Sequence, residues 1–93
     1  MEILGYRLEQ TCSACPEQYD VFKGDLEVGY LRLRHGYFRA DFPTCGATTV
    51  YEANTHGDGV FEEHERTFHL TRAVIAIHKA LKARSDLDQV EAK

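Results

Sequence analysis

Apolar and polar positions alternate over short stretches through the first half of this chain, then recur at helical spacing near its end. Leu4, Tyr6 and Leu8 alternate within Glu2–Gln10 and predict a first strand. Small residues and Pro16 mark Thr11–Glu17 as a loop, and Gln18–Lys23 reads as a second strand. Gly24-Asp25 makes a turn, because glycine tolerates the positive φ that tight hairpins demand. Leu26–Arg34 is a third strand, His35-Gly36 a two-residue turn, and the fourth strand starts at Tyr37. The pattern breaks over Pro43–Ala47, and the β-branched and aromatic run Thr48–Asn54 is a fifth strand. Thr55–Gly59 is a loop.

A helix is expected from about Val60 to Arg84, capped by Asp58, with Glu62, Glu63 and Glu65 at the positive end of its dipole. Leu70, Ala73, Val74, Ile77 and Leu81 fall on one stripe, and Lys79, Lys82 and Arg84 load the last turn. Phe68 and Ile75 lie off the stripe, so either the helix is covered on two sides or it starts later, near Thr67. The expected fold is α+β: a five-stranded antiparallel sheet, meander-like, packed on one C-terminal helix. Residues 1–84 form one domain, and the polar residues 85–93 a flexible tail.

The hairpin of residues 27–42 sorts its side chains most clearly. One face carries Leu31, Leu33, Phe38, Ala40 and Phe42; the other carries Tyr30, Arg32, Arg34, Tyr37, Arg39 and Asp41. A slip of one residue would bury arginines, so the pattern pairs Arg34 with Tyr37, Leu33 with Phe38, Arg32 with Arg39 and Leu31 with Ala40. Regular pairing across Gly24-Asp25 would add Tyr19 and Val21 to the polar face beside Tyr30 and Val28. That face would be aromatic at one end and cationic at the other. The helix covers the apolar face, leaving the polar one open.

Charge sharpens this reading. The chain has 93 residues and a formal net charge of −4, which argues against a protein that coats DNA or RNA, since counterion release needs a broad basic surface. Against that acidic background, residues 28–40 hold three arginines and no acid. Arg32 opposite Arg39 is a like-charge pair, unfavourable by a fraction of a kcal/mol unless an anion relieves it. Guanidinium groups take carboxylate or phosphate in a two-pronged way, and tyrosine and arginine dominate interface hot spots. The partner-binding candidates are therefore Tyr30, Arg32, Arg34, Tyr37 and Arg39. They suit an acidic protein surface, with a second copy in a homodimer included, or a nucleotide or single-stranded nucleic acid. An ordinary solvated face, its arginines bridging to Asp41 or Glu52, is the competing reading.

Cys12-Ser-Ala-Cys15 has a spacing that presents two thiolates to zinc, but no second such pair exists. In a meander the 11–17 loop, the 35–36 turn and the 55–59 loop share one end, so a zinc site would use Cys12 and Cys15 with His35 or His56. Otherwise the cysteines pack as small hydrophobes. His56, Asp58, Glu62 and His64 cluster in sequence and offer acid–base groups, though capping explains the acids equally well. No nucleophile motif or phosphate-cradling loop is present. An odd cysteine count without a leader pattern points to reduced thiols in a cytoplasm. The longest apolar run, residues 73–77, is too short to span a bilayer, so no membrane partner is expected.

The sequence thus predicts a non-enzymatic interaction module of the cytoplasm, without a cofactor. In size and charge it is comparable to small inhibitor proteins of phages and mobile elements. The alternative is a zinc-binding domain or small enzyme centred on Cys12, Cys15, His35 and His56.

Overall fold

Six antiparallel strands form one sheet in chain order: β1 (Glu2–Ile3), β2 (Tyr6–Cys12), β3 (Glu17–Lys23), β4 (Leu26–Arg34), β5 (Tyr37–Phe42) and β6 (Thr48–Asn54). A single helix, α1 (Glu63–Glu91), follows and packs across one face. The computed structural model describes residues 1–12 and 16–91, with residues 87–91 as backbone alone. The expected antiparallel sheet with one C-terminal helix is what forms. The extra strand arises because Leu4-Gly5 is a tight turn, with φ of 53° and 85°. Leu4 sits at its tip, 66% exposed, instead of alternating into the core.

The β4–β5 register agrees with the hydrophobic pattern: Arg34 opposes Tyr37, Leu33 Phe38, Arg32 Arg39 and Leu31 Ala40. Leu31, Leu33, Phe38 and Ala40 are fully buried. Strand β3 does not pair as regular alternation implied. Val21 opposes Gly29 but Phe22 opposes Glu27, so Val28 is an extra residue in β4. This bulge shifts the phase by one, and a shift of one moves side chains to the opposite face. Tyr19 and Val21 therefore lie in the core with Leu31, and Val28 is buried as well. Gln18, Asp20 and Phe22 take their places on the open face.

Gly29 marks where helix and sheet come closest. A Cβ there would run into Ile77 Cδ1, so any larger residue must turn the tip of that side chain aside. Leu70, Ala73, Val74 and Ile77 are buried along the predicted stripe, and Leu81 packs at its end. Phe68 and Ile75 face outward, which settles the ambiguity over the second side of the helix.

The helix begins at Glu63, later than Val60, because Glu62 rather than Asp58 is its cap. The Glu62 carbonyl accepts from the N–H groups of Glu65 (3.0 Å) and Arg66 (3.2 Å). Glu65 Oε2 accepts in return from Glu62 N–H at 2.9 Å, one half of a capping box. The same carboxylate takes the His56 N–H (2.9 Å) and Gly57 N–H (2.8 Å). Burial raises its pKa, but these backbone donors outweigh burial and hold it at about 2. Asp58 is exposed and contributes its carbonyl, which accepts from Gly36 N–H at 2.6 Å. The helix runs on to Glu91, so Lys79, Lys82 and Arg84 lie inside it rather than in a last turn at Arg84.

Glu17 is buried where β3 meets the segment leading into α1. Arg66 donates to both of its oxygens, Nε at 2.9 Å and Nη2 at 3.2 Å. Phe61 N–H (2.9 Å) and the Tyr19 hydroxyl also donate to it. Burial pushes the Glu17 carboxyl up, yet Arg66, Tyr19 and Phe61 together bring it below the usual range. Among the described residues every buried polar side-chain atom has a partner, so this network is a satisfied clamp holding the helix to the sheet.

Candidate functional site

With α1 on one face, the other face of the sheet is open, and its rows follow from the strand register. One row runs Cys12, Gln18, Arg32, Arg39, Glu52 across β2 to β6. The next toward the β4–β5 turn holds Arg34, Tyr37 and Asn54. On the other side come Glu9, Asp20, Tyr30 and Asp41, and beyond them Arg7, Phe22 and Glu27. The face is thus basic toward the β4–β5 turn and acidic toward the β3–β4 turn. The expected aromatic end is instead acidic, because the bulge sent Tyr19 and Val21 inward and Asp20 outward.

All five predicted binding residues lie on this face, but they differ in freedom. Tyr30 is 9% exposed and donates its hydroxyl to Gln18 Oε1 at 3.0 Å; burial raises its pKa, with Arg32 and Arg39 nearby acting against the rise. Tyr37 is 39% exposed and its hydroxyl reaches Glu52 Oε1 at 3.4 Å. Arg39 donates Nε to Asp41 Oδ2 at 3.1 Å. Asp41 was expected on the polar surface but is buried. It also accepts from Gly46 N–H (2.9 Å) and the Thr49 hydroxyl (3.0 Å), and so fixes the loop between β5 and β6. Arg39 is part of the scaffold.

Arg32 and Arg34 are different. Arg7, Arg39 and Arg66 pair with carboxylates, and Arg72 and Arg84 lie over the rings of Phe68 and Phe42. Among the described residues Arg32 and Arg34 have neither an ion pair nor a ring beneath them. With His35, Tyr37 and Arg39 they line an open hollow of about 370 Å³. Its chemistry is that of a carboxylate or phosphate receptor with an aromatic wall.

At the other end Glu9, Asp20 and Glu27 converge. Burial, then Glu27 and Glu9, push the Asp20 carboxyl above its usual range. Glu9 is tied to Arg7 (2.7 Å) and Glu27 accepts from the Thr44 hydroxyl (3.0 Å). Arg7 covers the Phe22 ring at 4.7 Å. The sequence reading missed this acidic half, because only the bulge brings Asp20 and Glu27 onto it.

The metal candidates gain little. Cys15 lies outside the described residues. Cys12 is half-buried at the end of β2, and His35 and His56 are exposed. The turn and loop that carry them do share one end, joined by Gly36 N–H to the Asp58 carbonyl and Thr55 N–H to the Gly36 carbonyl. Among the described residues no three His, Cys, Asp or Glu side chains are placed to hold a metal ion. His56 and His64 stand with ring centroids 5.7 Å apart, and His64 Nδ1 lies 3.7 Å from Glu62 Oε1, all at the surface. Among the described residues no helix is long and apolar enough to cross a membrane.

Compared with known proteins, the chain matches no family model, no curated sequence and no solved structure at a significant level, so the reading of this face rests on its own geometry.

Proposed function

We propose that this protein is a non-enzymatic binding module of the cytoplasm, needing no cofactor, whose open sheet face engages a carboxylate-bearing protein partner. One observation carries the reading. Among the described residues five arginines pair with a carboxylate or lie over a ring, while Arg32, with only the Tyr30 hydroxyl beside it, and Arg34 have no carboxylate partner and flank a hollow with Tyr37. Two adjacent, unpaired guanidinium groups repel each other, and bidentate carboxylate pairing relieves the repulsion while using their planar geometry. A protein carboxylate fits better than a nucleic acid because two arginines in a chain of net charge −4 do not make the broad basic surface that a phosphate backbone needs.

Calorimetric titration with poly-L-glutamate tests this. The wild-type protein binds, and binding weakens as salt screens the charges. The double variant Arg32→Glu, Arg34→Glu loses binding with its melting temperature little changed, since among the described residues neither side chain is in an ion pair. Arg→Lys at both positions restores only part of it, because an ammonium cannot reproduce the fork. Arg72→Glu, on the helix, leaves it unchanged. Arg39 is not a clean probe, because Arg39→Glu sets a second carboxylate against buried Asp41. Equal binding by wild type and the double variant would overturn the proposal.

A further inference from the structure

The open face carries both halves of a complementary pair, and we infer that its carboxylate-bearing partner is a second copy of this chain. The inference rests on the reading of the arginine hollow given above and names its occupant. Among the described residues Arg32 and Arg34 have no carboxylate partner at the basic end, while the strand register brings Glu9, Asp20 and Glu27 together at the acidic end. A two-fold axis lying between two such faces, across the basic-to-acidic gradient, sets each basic half over the partner's acidic half. Both strains are then relieved at once. Arg32 and Arg34 gain carboxylates, and Asp20 gains positive charge in place of its acidic neighbours.

The dimensions allow it. Five strands about 4.8 Å apart and seven residues long at about 3.3 Å per residue give a planar footprint of roughly 550 Å². Side-chain relief brings this to the order of the ~800 Å² that a standard interface takes from each partner. Phe22, Tyr30 and Tyr37 supply apolar area between the charged ends. The other unpartnered surface is the outer face of α1, with Phe68, Arg72, Ile75 and Lys79. It suits a second copy poorly, because antiparallel pairing about Ile75 would set Arg72 against Lys79.

Sedimentation equilibrium with complementary charge swaps tests the inference. Wild-type protein forms a dimer whose affinity falls about tenfold or more as salt rises from ~0.05 to ~0.5 M. Arg32→Glu with Arg34→Glu turns the basic half acidic, and Asp20→Lys with Glu27→Lys turns the acidic half basic, leaving the paired Arg7–Glu9 and Arg39–Asp41 in place. Each variant alone is monomeric, and an equimolar mixture dimerises again. A wild-type monomer from micromolar to millimolar concentration overturns the inference, as does a mixture of folded variants that stays monomeric. Should either variant fail to fold, salt-insensitive dimerisation of the wild type is equally contrary. Poly-L-glutamate separates the two proposals: a strictly monomeric protein that still binds it through Arg32 and Arg34 retains the receptor and loses only the self-pairing.

Discussion

Two buried carboxylates, Glu17 and Glu65, hold the end of the molecule where α1 begins. Glu65 read as a first-turn acid suited to the helix dipole. It is instead a buried acceptor for the backbone N–H groups of His56, Gly57 and Glu62. Its signal was present, since Glu62 and Glu65 are spaced as cap and third residue. Asp58 beside two glycines looked the stronger cap. Because the folded pKa of about 2 lies below the usual 4.5, Glu65 contributes fully above about pH 4.5. That contribution fades as pH falls toward 2. Glu65→Gln is expected to lose about 2–3 kcal/mol at neutral pH, since one backbone donor then faces an amide N–H₂. Chemical denaturation across pH should show the gap between variant and wild type narrowing from pH 4.5 downward. A gap constant across that range would contradict the assigned role.

Element positions were legible where a repeating pattern met a buried face, and illegible where one residue broke the repeat. The β4–β5 hairpin could be registered from Leu31, Leu33, Phe38 and Ala40, because a slip would have buried arginine. In the β3–β4 hairpin, regular pairing across Gly24-Asp25 would have turned Gln18, Asp20 and Phe22 inward, and only the extra Val28 lets Tyr19 and Val21 face the core while β4 keeps Leu31 and Leu33 there. Gly29 went unremarked for the same reason: its meaning is the proximity of Ile77, a contact nearly 50 residues away in sequence. Gly29→Ala must displace the helix or the Ile77 side chain, with an expected cost of about 1–3 kcal/mol. Leu33→Ala, which opens a cavity, should cost about 2–5 kcal/mol. Urea denaturation measures both. A neutral Gly29→Ala would mean that the tip of Ile77 turns aside without cost.

At the scale of the whole molecule, one long helix covers one side of a six-stranded sheet and leaves the other side uncovered. The five arginine and tyrosine residues picked from the sequence do share that side, but their number overstated the receptor. Arg39 and Tyr30 belong to the scaffold, through Asp41 and Gln18, and Arg32, Arg34 and Tyr37 remain as the proposed receptor. The acidic half, which turns a basic patch into a two-ended face, could not be read without the bulge. The most direct test of the face as a carboxylate receptor is nitrogen–proton NMR of the arginine Nε–H groups during titration with poly-L-glutamate. The resonances of Arg32 and Arg34 should move first and furthest, with the Gly36 and Tyr37 amides following, while Arg72 and Arg84 stay in place. Shifts spread evenly over all the arginines, or centred on the helix, would contradict the account.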